Sequence, residues 1–94
     1  MLKYPDASEL RWSLERDEAI FTIEEAGHPI HCRVTRKALE GYAGGAKVHD
    51  GLSAAQDYLP KIEEDVAVLV SVGRLEPDGS FLLRALDVRR MRPR

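Results

Sequence analysis

Apolar and polar residues alternate in three short stretches at the front of the chain, and the alternation then gives way to a helical rhythm. Leu10, Trp12 and Leu14 alternate with Arg11, Ser13 and Glu15. After the polar turn Arg16-Asp17-Glu18, the pattern resumes over Ala19 to Glu25, with Phe21 and Ile23 on one side and Thr22 and Glu24 on the other. Ala26-Gly27-His28-Pro29 turns the chain, since Gly27 takes a positive φ without steric cost. Ile30, Cys32 and Val34 then alternate with His31 and Arg33. Successive strand side chains point to opposite faces, so each stretch presents one apolar and one polar face. Three such strands joined by tight turns predict an antiparallel meander. Residues 1–9, with Pro5 and Asp6 suited to a turn, are expected to form a loose leader.

The third strand passes into a helix within one residue. Thr35 stands at the N-cap position, where its hydroxyl accepts from a free backbone N–H of the first turn. Ala38, Leu39 and Tyr42 follow at helical spacing, Arg36, Lys37 and Glu40 point away, and Gly44-Gly45 ends the helix. Ala38 occupies the place where a capping box needs Glu or Gln, so the start signal is the cap alone. A loop runs through Lys47 to His49. Leu52, Ala55, Leu59, Ile62, Val66, Leu69 and Gly73 then recur every three or four residues, the stripe of one helix from Gly51 to Val72. Asp50 or Ser53 is placed to cap it. Pro60 interrupts this helix and removes a hydrogen bond, at a cost of ~3 kcal/mol in a helix interior. The stripe nevertheless keeps its phase, and Pro60 projects towards the exposed side. One helix kinked near Tyr58 to Pro60 is therefore predicted, in place of two separate helices.

Glu76-Pro77-Asp78-Gly79 is a strong turn signal. Phe81 to Val88 reads as a fourth strand completing the sheet, with Phe81, Leu83 and Ala85 on one face and Leu82, Leu86 and Val88 on the other. A strand apolar on both faces is covered on both. Arg89 to Arg94 forms an Arg-rich tail. The order β-β-β-α-α-β describes a single α+β domain, folded over residues 10–88, with its helices packed on one face of the sheet.

The chain has 94 residues, of which 44% are hydrophobic and 32% charged, with a net charge of −2. It is long enough to bury about 60% of the surface of its unfolded form, a thin but real core. The charge gives no global attraction to nucleic acid or to an anionic membrane. Cys32 is the single cysteine, so an intramolecular disulfide is excluded, and small secreted domains usually carry several. The polar start Met1-Leu2-Lys3-Tyr4-Pro5-Asp6 lacks the apolar region of a signal peptide. The longest apolar run, Val66 to Val70, is far short of a membrane span. A cytoplasmic location is expected.

Taken together, Gly27 followed by Ile30-x-Cys32-x-Val34-Thr35-Arg36-x-Ala38-Leu39 resembles a family of small bacterial proteins known as domain of unknown function 1488. The similarity extends to Leu52 and Ile62-Glu63 in the long helix, to the Asp78-Gly79 turn and to Phe81 to Leu83, and so covers roughly Leu10 to Val88. It implies a fold and brings no activity or catalytic residues with it. Pro60 and the Arg-rich tail depart from the family pattern.

Candidate chemistry adds little to this. Cys32 shares a strand face with Ile30 and Val34, away from His31 and Arg33, which suits a core cysteine better than a nucleophile that needs a base beside it. His28, His31, Cys32 and His49 are all residue types that bind zinc, but their spacing matches no zinc module, and alternation separates His31 from Cys32. Glu63-Glu64-Asp65 reads as a solvated helix face, supported by an Asp57–Lys61 pair four residues apart. Gly44-Gly45 follows a helix, whereas a phosphate-cradling loop opens one. Trp12, Phe21 and Phe81 fall on inward faces, which leaves few aromatics for stacking on single strands. No catalytic, cofactor or metal residues are assigned, and the chain is expected not to be an enzyme.

Two surfaces remain as candidates. Val68 and Val72 lie on the long helix opposite its main stripe, and with Leu86 and Val88 of the fourth strand they suggest a partner interface, most simply in a homodimer. Arg89, Arg90, Arg92 and Arg94, with Arg11, Arg33 and Arg36, suggest phosphate contacts in a nucleic-acid-associated regulator as the alternative. A charged frayed terminus is the commoner explanation of such a tail.

Overall fold

The computed structural model describes residues 2–93. Among these the chain forms a mixed five-stranded sheet and four α-helices, an α+β fold. Strands β2 (Arg11–Ser13), β3 (Glu18–Glu25) and β4 (His28–Thr35) make the predicted antiparallel meander. The Ala26-Gly27 turn joins β3 to β4, with φ of 52° and 81°. Two successive positive φ values match the turn that a twisted hairpin favours. His28 and Pro29 belong to β4 and not to the turn.

Thr35 caps helix α1 (Arg36–Tyr42), accepting from the Ala38 N–H at 3.0 Å. Gly44 and Gly45, both at positive φ, end it. Asp50 and not Ser53 caps α2 (Gly51–Asp57): its carboxylate accepts from the Ser53 N–H at 3.0 Å. The predicted single kinked helix is two helices. Helix α3 (Leu59–Val72) starts anew after Tyr58, and Pro60 lies in its first turn. There the missing N–H has no intrahelical partner to lose, so proline costs little. The apolar stripe still holds across the break, with Ala55, Leu59, Ile62, Val66 and Leu69 all buried. Among the described residues Asp57 and Lys61 make no ion pair; the Lys61 ammonium lies 5.8 Å over the Tyr58 ring instead.

The predicted fourth strand is half strand and half helix. Strand β5 (Phe81–Leu83) pairs in parallel with β4, Cys32 beside Phe81 and Val34 beside Leu83. The chain then turns into α4 (Ala85–Met91). Asp87 explains the switch: its carboxylate accepts from the Arg84 N–H at 2.9 Å, satisfying a donor at the helix start. Val88 thereby faces the core, 2% exposed, in place of an outer sheet face.

The expected loose leader is tied down as well. β1 (Leu2–Lys3) pairs with Glu24 and Glu25 of β3, and a 3-10 turn follows at Ala7–Glu9. The Tyr4 hydroxyl donates to the Glu63 carbonyl at 3.3 Å, and Gln56 donates to the Ala7 carbonyl at 3.1 Å. These are contacts with helices some 50 to 60 residues away in sequence, which local pattern does not reveal.

One core joins the inner sheet face to the helices: Ala19, Phe21, Ile23, Cys32, Val34 and Leu83 meet Leu39, Ile62, Val66, Leu69 and Val88. The other sheet face shows Ile20, Thr22 and His31 to solvent. The helices thus cover one face, as the sequence predicts.

Candidate functional site

The expected partner surface divides in two. Val68 and Val72 are 46% and 66% exposed on the outer ridge of α3, and Leu75 just beyond its end is 54% exposed. Leu86, 50% exposed, joins them as a free apolar side chain at the start of α4. Val88 does not: it is a core residue, packed against Gly41, whose modest room leaves a hypothetical Cβ 3.2 Å from a Val88 methyl. Helix periodicity in place of strand periodicity causes this, since residues 86 and 88 share a strand face but not a helix face. The Arg74 guanidinium donates to Asp87 at 2.7 Å, pinning the end of α3 to the start of α4. The exposed apolar residues therefore stand on elements that are fixed to each other.

The Arg-rich tail is mostly structure. Arg89 and Arg90 are exposed on α4, and Arg94 lies outside the described residues. Arg92 turns inward, donating to Asp65 at 3.0 Å and to Glu64 at 2.9 Å. The Tyr42 hydroxyl donates to the same Asp65 oxygen, and the Arg92 guanidinium lies 5.7 Å over the Tyr42 ring. Asp65 is 4% exposed, so it is not part of a solvated acidic face; it joins α1, α3 and the end of α4. Burial, together with the hydrogen bond to Asp65, pushes the Tyr42 phenol well above its usual range. The hydrogen bond to Asp65 likewise raises the Arg92 guanidinium. Arg36 donates to both Asp17 carboxylate oxygens at 3.0 Å and lies 4.8 Å over the Trp12 ring.

Cys32 is 1% exposed, and burial pushes its thiol up to about 12. Its neighbour His31 is on the opposite face, where Nδ1 and the Thr22 hydroxyl are 3.3 Å apart. Among the described residues no three His, Cys, Asp or Glu side chains gather where they would hold a metal ion.

The structure adds a site that face assignment alone did not show. The exposed sheet face forms a groove of about 510 Å3 against the 74–80 loop and the N-terminal segment. Arg11, Arg16, Arg33, His31 and Ser80 converge on it. Arg33 donates to Ser80 at 3.2 Å and to Glu18 at 3.3 Å. The Ser80 hydroxyl and N–H both donate to Asp78, at 2.6 and 2.9 Å, and these bonds hold the Asp78 carboxyl below its ordinary range. The signal in the sequence was the run of polar side chains on alternate strand positions, but its meaning depends on register.

No family model matches the chain, and no curated protein matches it. A solved structure does: a protein of unknown function from the DUF1488 family of Shewanella loihica is similar with a TM-score of 0.72 and 22% identity. The match covers 85% of this chain and 94% of that one. The two share a fold, in agreement with the resemblance seen in the sequence. Among the described residues no helix is long and apolar enough to cross a membrane.

Proposed function

We propose that this chain is a non-enzymatic cytoplasmic interaction module that self-associates through the outer ridge of α3. The observation that carries this is the exposure of Val68 and Val72, one turn apart on α3, together with exposed Leu75 just past its end and exposed Leu86 on α4, which the Arg74–Asp87 contact ties to the end of α3. Contiguous exposed apolar patches on small domains mark interaction surfaces. A second copy is the occupant that charge favours. The ridge carries Glu64 towards its start, 72% exposed and bridged within the chain to Arg92, and Arg74 past its end, 43% exposed and bridged to Asp87. An antiparallel two-fold arrangement centred between Val68 and Val72 sets each acidic end beside a basic end, as a self-complementary interface requires.

Analytical ultracentrifugation of the purified protein tests it. A dimer is expected at high micromolar concentration, with Val68→Asp and Val72→Asp giving folded monomers. A monomer at that concentration for the unaltered chain overturns the proposal, as does a dimer that both variants retain. A second reading, contact with nucleic-acid phosphates, keeps Arg89 and Arg90 as exposed cations on one turn of α4. It is the weaker one, because Arg92 donates to Asp65 and Glu64. Binding of a short duplex that falls with salt and with Arg89→Ala/Arg90→Ala supports it; no binding at low salt removes it.

A further inference from the structure

The groove on the exposed sheet face falls, at about 510 Å3, within the ~300–1,000 Å3 typical of small-molecule sites. Strand register builds it. Arg11 pairs with Ile20, and Ile20 pairs with Arg33. Side chains directly opposite one another across a ladder share a face, so the two arginines flank Ile20 at a backbone separation of about 10 Å. Ile20 is 36% exposed between them. Arg16 enters from the β2–β3 turn, and Ser80 closes the far side.

Formal charges around the groove nearly cancel, but hydrogen-bonding capacity does not. The carboxylates have partners within the chain. Glu9 accepts from the Asp6 N–H at 2.8 Å, Asp78 accepts twice from Ser80, and Glu18 accepts from Arg33. The guanidiniums are less occupied, and each carries more N–H donors than any other side chain. Arg11 uses one nitrogen, on the carbonyls of Ser8 and Leu10. Arg33 uses two. Arg16 stands 3.9 Å from Asp78 and makes no guanidinium hydrogen bond among the described residues. A concave surface with surplus donors and satisfied acceptors selects a ligand rich in acceptors. The planar fork of arginine matches phosphate and carboxylate oxygens alike.

We propose that this groove is a binding site for a small oxyanion, a phosphate ester or a dicarboxylate. The anionic oxygens lie among Arg11, Arg16 and Arg33, and the carbon body lies over Ile20. Because the local charge is nearly balanced, short-range hydrogen bonding and not long-range attraction provides the affinity. The site is separate from the α3 ridge and does not depend on self-association.

Two-dimensional amide NMR of the full chain tests this, with pyrophosphate and glutarate titrated separately at constant ionic strength and chloride as the control. Saturable shifts are expected at Arg11, Ile20, His31 and Arg33. Response to pyrophosphate alone assigns a phosphate ligand, response to glutarate alone a carboxylate, and either supports the site. Arg11→Ala and Arg16→Ala, both at exposed positions, are each expected to weaken binding about tenfold, the loss of a charge-assisted hydrogen bond. Their amide spectra report directly that each variant is folded. Absence of saturable shifts with both anions overturns the proposal. So do shifts that the Arg11→Ala/Arg16→Ala double variant leaves unchanged, or shifts confined to Arg89 and Arg90.

Discussion

Gly51 opens helix α2 and is buried under the indole of Trp12. A Cβ at that position would stand 2.3, 2.5 and 2.6 Å from three atoms of the six-membered ring. Favourable carbon contacts need about 3.5–4.0 Å, so the ring must move by an ångström or more. It is not free to do so without loss, because Arg36 lies 4.8 Å over it and is itself held by Asp17 and by the Val48 and His49 carbonyls. Two effects oppose each other in Gly51→Ala. Alanine gains at most ~1 kcal/mol of helix propensity, and less at a helix start. Overpacking costs ~1–3 kcal/mol, and the displaced cation–π contact adds about 0.5–1 kcal/mol. The clash wins, and the variant is expected to lose about 2 kcal/mol. Urea denaturation followed by fluorescence measures this directly, since Trp12 is the sole tryptophan and is itself the group displaced. In a Trp12→Leu background the obstacle is gone, and the same Gly51→Ala change is expected to be neutral or stabilising. The cycle then gives a coupling of about 2 kcal/mol. A neutral or stabilising effect of Gly51→Ala in the native background, with unchanged fluorescence, refutes the reasoning.

Other expectations follow from single residues. Asp65→Ala leaves Tyr42 and Arg92 without their shared acceptor and is expected to cost about 3 kcal/mol in denaturant melts; a loss below about 0.5 kcal/mol contradicts the role given to Asp65. Cys32 is expected to resist a thiol reagent at pH 8 until the protein is unfolded, and prompt reaction of the native protein counts against its burial. The folded thiol holds its proton to about 12, while the unfolded thiol releases it near ~8.5. Its contribution is thus present below the unfolded value and is lost as pH rises towards the folded one, by up to ~1.4 kcal/mol per pH unit. Cys32→Ala should flatten that part of the stability curve, and an unaltered slope would refute the assignment. Val88→Asp is expected to unfold the chain where Val68→Asp leaves it folded; circular dichroism of the two distinguishes a core position from a surface one.

Local pattern reached far into this fold. Alternation over Leu10 to Val34 specifies the meander except at Leu14, which lies in the β2–β3 turn and is 90% exposed; Thr35 specifies the exit into α1, and the three-four stripe from Leu52 to Leu69 the buried side of α2 and α3. These are legible because each depends on neighbours within a few residues, where strand and helix periods differ. Pro60 shows the limit: its position in the sequence was plain, but whether it kinks a helix or begins one depends on where the preceding helix ends. Residues 85–91 show another, since Phe81 to Val88 satisfies strand alternation until Asp87 supplies a helix cap and Val88 finds room beside Gly41. The tie of Tyr4 to Glu63, and that of Arg92 to Asp65, join residues far apart in sequence.

The groove lies between these cases. Alternation placed Thr22, His31 and Arg33 on polar strand faces, but the pairing of Ile20 with Arg33 and of Thr22 with His31 follows from the two-residue Ala26-Gly27 turn, which replaces the four-residue turn expected from the sequence. Arg11, Arg16 and Ser80 come to the groove through the register of β2 and the placement of the 74–80 loop against the sheet. The sequence by itself determined where strand alternation gives way to helical spacing, that Thr35 caps α1 and which apolar stripe of α2 and α3 is buried, because these follow from backbone geometry and water. Tertiary structure alone decided which distant side chains share a surface, because that depends on how the elements pack and not on the period within any one of them.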